Sequence, residues 1–313
     1  MKTFINIIKG FRKTRQVPRL ILLLFLLNFL FSLILAVPMY HSLRGSFGNS
    51  LVSETMVESF DYLWWEEYRD QSEGLEKTFT PAVIGKGALL INLENLVRMT
   101  FLSLPPAVLM FGLLYILFHA FLAGGVLTVL NQEQPVFKLK GFFNGAGNFF
   151  LPFAGYMLLF WFFLFFLVGP LRGFLDDVLN RIARTASSEI LPFVLELVFS
   201  AAVLFLILFF HMIFDYARIK TVQNKNKAVL KNTLSAFQFV FKNPGTTVGL
   251  YAVIFFAGIL FSGLYTLTSS LIIQNNLFWI SVGFLVQQIF IAGVIWIRCW
   301  LYAGESELNR YLS

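Results

Sequence analysis

Six stretches of this chain are too long, too apolar and too poor in charge to be the inside of a water-soluble domain. They cover approximately residues 19–38, 101–130, 149–170, 191–214, 248–273 and 277–302. A helix rising about 1.5 Å per residue crosses the roughly 30 Å hydrocarbon core of a bilayer in about 20 such residues. Hydrocarbon offers no partner to a backbone N–H or C=O group, so a crossing segment must bond its own, which a helix does. The expected fold class is all-α: a polytopic membrane helical bundle of about six transmembrane helices, set as three antiparallel hairpins with amphipathic interfacial helices. Residues 1–313 read as a single membrane domain.

Composition supports this. Charged residues make up 13% of the chain, about half of the roughly 25% usual in soluble domains. Such a surface cannot be clothed for water, and 39 phenylalanines suit a lipid-facing one. The basic start followed by the apolar run Leu20 to Val37 has the outline of a signal peptide. Its length and the lack of a small-residue cleavage site make it a retained first span. Pro105 and Pro106 near the start of the second span predict a bend there. Spans five and six are separated by little more than Gln274, Asn275 and Asn276, a tight helical turn.

Charge placement gives the orientation. Lys and Arg cluster before span one (Lys9, Arg12, Lys13, Arg15), between spans two and three (Lys138, Lys140), between four and five (Arg218 to Lys242) and near the C-terminus (Arg298, Arg310). With an even number of spans, all these segments fall on one face, which the positive-inside rule assigns to the cytoplasm together with both termini. Acids gather on the opposite face, chiefly in the loop from Met39 to Thr100. Trp64, Trp65 and Trp279 fall near that outer boundary and Trp296 and Trp300 near the inner one, while Trp161 sits mid-span.

Each outward-going span has a similar prelude. Ile8-Lys9-Gly10-Phe11 leads to Pro18, Leu139-Lys140-Gly141-Phe142 to Pro152, and Leu230-Lys231 to Pro244. A short basic and aromatic segment before a proline predicts a helix in the inner interface, lysines toward anionic head groups and phenylalanines toward acyl chains. The outer loop, residues 39–100, predicts two more amphipathic helices, over Glu54 to Tyr68 and Ala82 to Met99, and the stretch Arg172 to Glu189 predicts a third.

Ionisable residues inside spans are costly and mark candidate sites. Glu196 lies near the outer end of span four, within reach of Arg172, Arg181 or Arg184, and reads as half of a structural ion pair. His119 lies deeper in span two and reads as a hydrogen-bonding partner for a neighbouring helix. His211, Asp215 and Arg218 follow each other at helical spacing on one face near the inner end of span four. They form the best polar cluster of the chain, suited to a lipid head group or to anchoring the bundle. Asn28, Gln287 and Gln288 are uncharged and are expected to pair across helices. Ala120-x-x-x-Gly124 and Gly258-x-x-x-Ser262 are small-residue pairs that permit close helix contact. His119 and His211 are expected at different depths, one cysteine (Cys299) allows no internal disulfide, and neither a metal nor another cofactor is expected. Motifs for nucleotide, zinc-protease or serine-hydrolase chemistry are absent.

The run Asp215 to Lys220, with Lys231, Phe237 to Phe241, Asn243-Pro244-Gly245 and Gly249-Leu250-Tyr251, resembles a pattern of uncharacterised six-span bacterial membrane proteins. Gly124-Gly125-Val126 and the segment Phe142 to Phe153 resemble the same group. The layout is loosely similar to the membrane domain of glycerophosphodiester phosphodiesterases, without an attached catalytic domain. The resemblance implies a bacterial cytoplasmic (inner) membrane protein and assigns no catalytic residue. The expected function is a non-enzymatic accessory, scaffold or lipid-organising protein. Its partners would be membrane lipids, anionic at the cytoplasmic face, and a protein partner or a second copy; nucleic acid is not expected. The alternative is a transporter or channel with Glu196, His119, Asn28, Gln287 and Gln288 around one cavity.

Overall fold

Ten helices account for nearly all the residues that the computed structural model describes, namely 2–48, 61–78, 93–100, 105–273 and 276–312. They are α1 (Lys2–Arg15), α2 (Pro18–Phe47), α3 (Tyr62–Gln71), α4 (Pro106–Leu130), α5 (Leu139–Phe163), α6 (Gly169–Thr185), α7 (Ile190–Asn224), α8 (Val229–Lys242), α9 (Pro244–Ser270) and α10 (Leu277–Leu312). A π-helical turn, Leu164–Val168, joins α5 to α6 without a break. Six helical rods are long and apolar enough to cross a bilayer: α2, α4, α5 with α6, α7, α9 and α10. Among the described residues there is no strand. The protein is thus the expected polytopic helical bundle.

The first and last helices meet. The indole N–H of Trp300 donates to the Ile7 carbonyl at 2.9 Å, and Phe11 sits edge-on to Trp296 and Trp300. Lys13 ion-pairs with Glu307 at 2.7 Å and donates to the carbonyls of Leu130 and Gln132, at the C-terminal end of α4. A cation there completes carbonyls that the helix leaves unbonded. Both termini therefore lie at one end of the bundle, with the Lys- and Arg-rich segments.

Two of the three preludes are separate helices. α1 ends at Arg15 before Pro18, and α8 ends at Lys242 before Pro244, each proline opening the next helix at its first turn, where its missing N–H costs nothing. The third differs. α5 runs unbroken through Pro152, which is buried within it. The same helix packs along α4 across the 131–138 turn in an extensive pairing. Hydrocarbon supplies no hydrophobic force between helices, so close approach depends on small residues. Here they are Gly124 against Gly145 and Ala146, with Thr128 over Gly145. Gly10 of α1 meets Gly304 of α10 in the same way. The pair Ala120 and Gly124 is thus part of a tight contact, whereas Gly258 has only Ile297 within van der Waals reach.

These contacts concentrate packing at the basic end. Phe142, Phe153, Tyr156, Ile213, Tyr216 and Leu250 are fully buried there, whereas Leu113, Leu197, Leu264 and Ile289 in the opposite halves of the spans are exposed. At that far end α3 lies over the end of α2. Trp64 stacks on Phe47 and donates to Ser46, and Tyr68 shares a hydrogen bond with Ser42 at 2.9 Å. Asp61 caps α3 by accepting from the N–H groups of Leu63 and Trp64. The expected outer helices are met in part: α3 begins at Tyr62, a short helical turn covers 93–97, and residues 54–60 and 82–92 lie outside the described residues.

A side chain at Gly145 would drive its Cβ into the Thr128 side chain, while Gly147 on the same helix has open space. Gly145→Val should therefore destabilise the bundle by about 1–3 kcal/mol, and Gly147→Ala should leave it within about 1 kcal/mol. Thermal unfolding in detergent separates the two.

Candidate functional site

α7 carries one carboxylate near each end, Glu196 and Asp215, and no other acid. From Glu196 to Asp215 it measures roughly 28 Å at about 1.5 Å per residue, close to the roughly 30 Å thickness of bilayer hydrocarbon. Each carboxylate is met by two arginines, at least one of them from another part of the chain.

At the acidic end Arg172 of α6 is 4% exposed and grips both oxygens of Glu196, at 2.9 and 3.0 Å. It also bonds Ser200 and ion-pairs with Asp176 at 2.7 Å. Arg98, from the segment before α4, adds a second cation to Glu196 at 3.3 Å. The ion pair expected for Glu196 is present, and Arg172 is the partner. These ion pairs tie α6 and the segment before α4 to α7.

The second charge makes the richer centre. Asp215 is fully buried and is held from two helices. Arg218, one turn along α7, donates to Oδ1 at 2.9 Å. Arg298 of α10 donates through Nη2 to Oδ1 at 3.0 Å and lies 2.9 Å from Oδ2. His211 Nδ1 stands 3.4 Å from Oδ2 and 3.4 Å from the Tyr251 hydroxyl of α9. Arg298 also donates to the Tyr302 hydroxyl at 2.9 Å and lies over that ring. Helical register explains the convergence: His211, Asp215 and Arg218 share one face of α7, and Arg298, Tyr302 and Glu305 share one face of α10. Glu305 is fully buried, and neither of its oxygens has a hydrogen-bond partner among the described residues.

Below this centre a second polar layer ties the basic end together. Tyr156 of α5 shares a 2.6 Å hydrogen bond with Thr221 of α7, which also accepts from Asn232 of α8. Gln223 of α7 donates to Ser306 and accepts from Asn309 of α10, and Ser306 reaches Asn131 after α4. A polar side chain left unpaired in such surroundings costs about 1–3 kcal/mol, so this network selects one arrangement of the helices.

The sequence cluster His211, Asp215 and Arg218 is therefore assembled, but its main cation is Arg298, which pattern reading took only as an end-of-span charge. The remaining candidates do not behave as expected. Asn28 donates to Leu24 of its own helix rather than across helices. Gln287 is exposed, Gln288 half-buried, and neither hydrogen-bonds another helix among the described residues. His119 buries Nε2 without a hydrogen-bond partner there, beside the Tyr115 ring.

Asp215→Ala strands two arginines at a buried position and should cost about 3–5 kcal/mol. Replacing Asp215, Arg218 and Arg298 together by apolar residues of similar volume should recover most of that loss. Denaturant unfolding of the two variants in detergent tests the difference.

No protein-family model, curated protein or solved structure matches this chain.

Proposed function

We propose that this protein is a non-enzymatic, multi-pass protein of a bacterial cytoplasmic membrane that binds and organises anionic lipid around its basic, cytoplasm-facing end. The observation that carries this reading is a repeated helix pattern at that end. α8 buries Asn232, Thr233, Ala236 and Val240 and exposes Leu230, Leu234 and Phe241, with Lys231 and Lys242 beside them. α1 buries Asn6, Ile7, Gly10 and Thr14 and exposes Phe4, Ile5 and Phe11, with Lys9, Arg12 and Arg15 beside them. The first turns of α5 add exposed Leu139 and Phe143 next to Lys140. Each helix thus fixes itself to the bundle by one face and offers acyl chains and head groups the other. α1 and α8 run straight into a span, which keeps them at the membrane surface.

The placement of both termini at the basic end agrees with an even number of crossings and, by the positive-inside rule, with a cytoplasmic location for that end. The resemblance to six-span bacterial membrane proteins points the same way. The transport alternative has less to stand on. Glu196 is engaged by two arginines at the far end, and Asn28 by its own backbone.

The test is the lipid that accompanies the protein. Purified in native nanodiscs, it should carry more anionic lipid than the surrounding membrane. Replacing Lys9, Arg12, Arg15, Lys231 and Lys242 by Gln should lower that enrichment at least about fivefold. An unchanged lipid profile would reject the reading.

A further inference from the structure

Arg298 uses only part of its guanidinium on the protein. Nη2 serves Asp215 and Tyr302, while Nε and Nη1 make no hydrogen bond among the described residues, and the side chain is 34% exposed. A guanidinium has five N–H donors and no acceptor, so free donors beside hydrocarbon call for an anion.

The helix faces around it show where that anion would enter. Phe284, Gln287, Ile291 and Val294 precede Arg298 on α10 at steps of three and four and so share its face. That face looks toward α7 at the ion pair, yet Phe284 and Val294 are about half exposed, Gln287 is exposed and Ile291 half-buried. α7 mirrors this. Leu197, Ala201, Leu204 and Leu208 share the face of Asp215, and none of them is buried. Two faces that meet at Asp215 and Arg298 therefore part toward the other end of the bundle. They leave an apolar wedge whose floor is a half-exposed arginine and a half-exposed histidine, His211. Beneath the floor Tyr302, Ala303, Gly304 and Glu305 are all buried, so the wedge is closed toward the basic end.

We infer that this wedge is a binding site for one anionic amphiphile, its carboxylate or phosphate on the free edge of Arg298 and its acyl chain along the open faces of α7 and α10. The chemistry fits on both counts. A carboxylate or phosphate oxygen pairs with the Arg298 donors not used by Asp215, and a single acyl chain covers the apolar surface these faces leave open, at Leu197, Phe284 and Val294 above all. The closed floor leaves no room for a head group to extend into water, which favours a small anionic head. The site goes beyond the lipid collar and stands apart from it, since none of the collar lysines touches Arg298.

Photo-crosslinking of the full chain in phosphatidylcholine nanodiscs tests this. The probes are diazirine-bearing palmitate, diazirine-bearing phosphatidic acid and a neutral monoacylglycerol with the same chain. The anionic probes should label residues 197–208 or 284–294 about tenfold more than the neutral one. Oleate or phosphatidic acid should compete, and the stronger competitor identifies the head as carboxylate or phosphate. Ile291→Trp fills the wedge without touching the ion pair and should remove the labelling about tenfold at unchanged thermal stability; Val294→Trp serves if that variant does not fold. Arg298→Gln should abolish the preference for the anionic probes. Labelling that ignores head charge, survives both tryptophans, or falls only on Leu285 and Ile289, on the face turned away from Arg298, overturns the inference. Gln variants of the collar lysines should leave this labelling unchanged, which separates its fate from that of the collar.

Discussion

A carboxylate taken out of water must be neutralised where it stands, and Asp215 is neutralised from two helices. Arg218 comes from its own helix and Arg298 from the last span. The carboxylate thereby fixes the position of α10 against α7, and His211 with Tyr251 brings α9 to the same place. Around this point the buried residues form one continuous cluster. Toward the other end contact thins to smaller clusters, such as Phe261 and Tyr265 on Phe290 and the buried group of Leu164, Val168, Val203 and Ile207. Such an ion pair is not a strong source of net stability, because desolvation offsets much of its attraction. Its effect is on geometry: any other register of α10 leaves a charge alone in a poor dielectric.

The small residues complement this constraint. Gly124, Gly145 and Ala146 let α4 and α5 touch backbone to backbone, and Gly10 with Gly304 does the same for α1 and α10. In lipid such contacts hold helices together by dispersion and shape rather than by exclusion of water. Most of them lie toward the basic end, and Gly293 under Phe261 adds one farther out between α9 and α10. The exposed faces of α1 and α8 lie at the end where this packing is concentrated, and the facing residues of α7 and α10 beyond Arg298 are less buried. The second ion centre, at Glu196, attaches the far end of α7 to α6 together with the buried cluster of Leu164, Val168, Val203 and Ile207.

The candidate site was half legible. The spacing of His211, Asp215 and Arg218 announces a shared face because helical periodicity is local. Arg298 lies far along the chain, and nothing in its neighbourhood marks it as more than a boundary charge. The expected ion pair of Glu196 narrowed to Arg172 only once α6 was in place. Asn28 was misread because an asparagine in a span can bond its own helix one turn back, and sequence does not say which partner is nearer.

What the sequence determined by itself is the solvent and the count. Hydropathy over about 20 residues decides whether a helix belongs in lipid, and charge bias decides which ends lie together; both are sums over local segments. What only the tertiary structure decided is which helices touch, that α5 passes straight through Pro152 while α1 and α8 stand apart, and that Arg298 faces Asp215. These depend on distances between residues remote in the chain. Where lipid is as apolar as any side chain, no hydrophobic pattern specifies such distances, and a few glycines and buried charges such as Asp215 do.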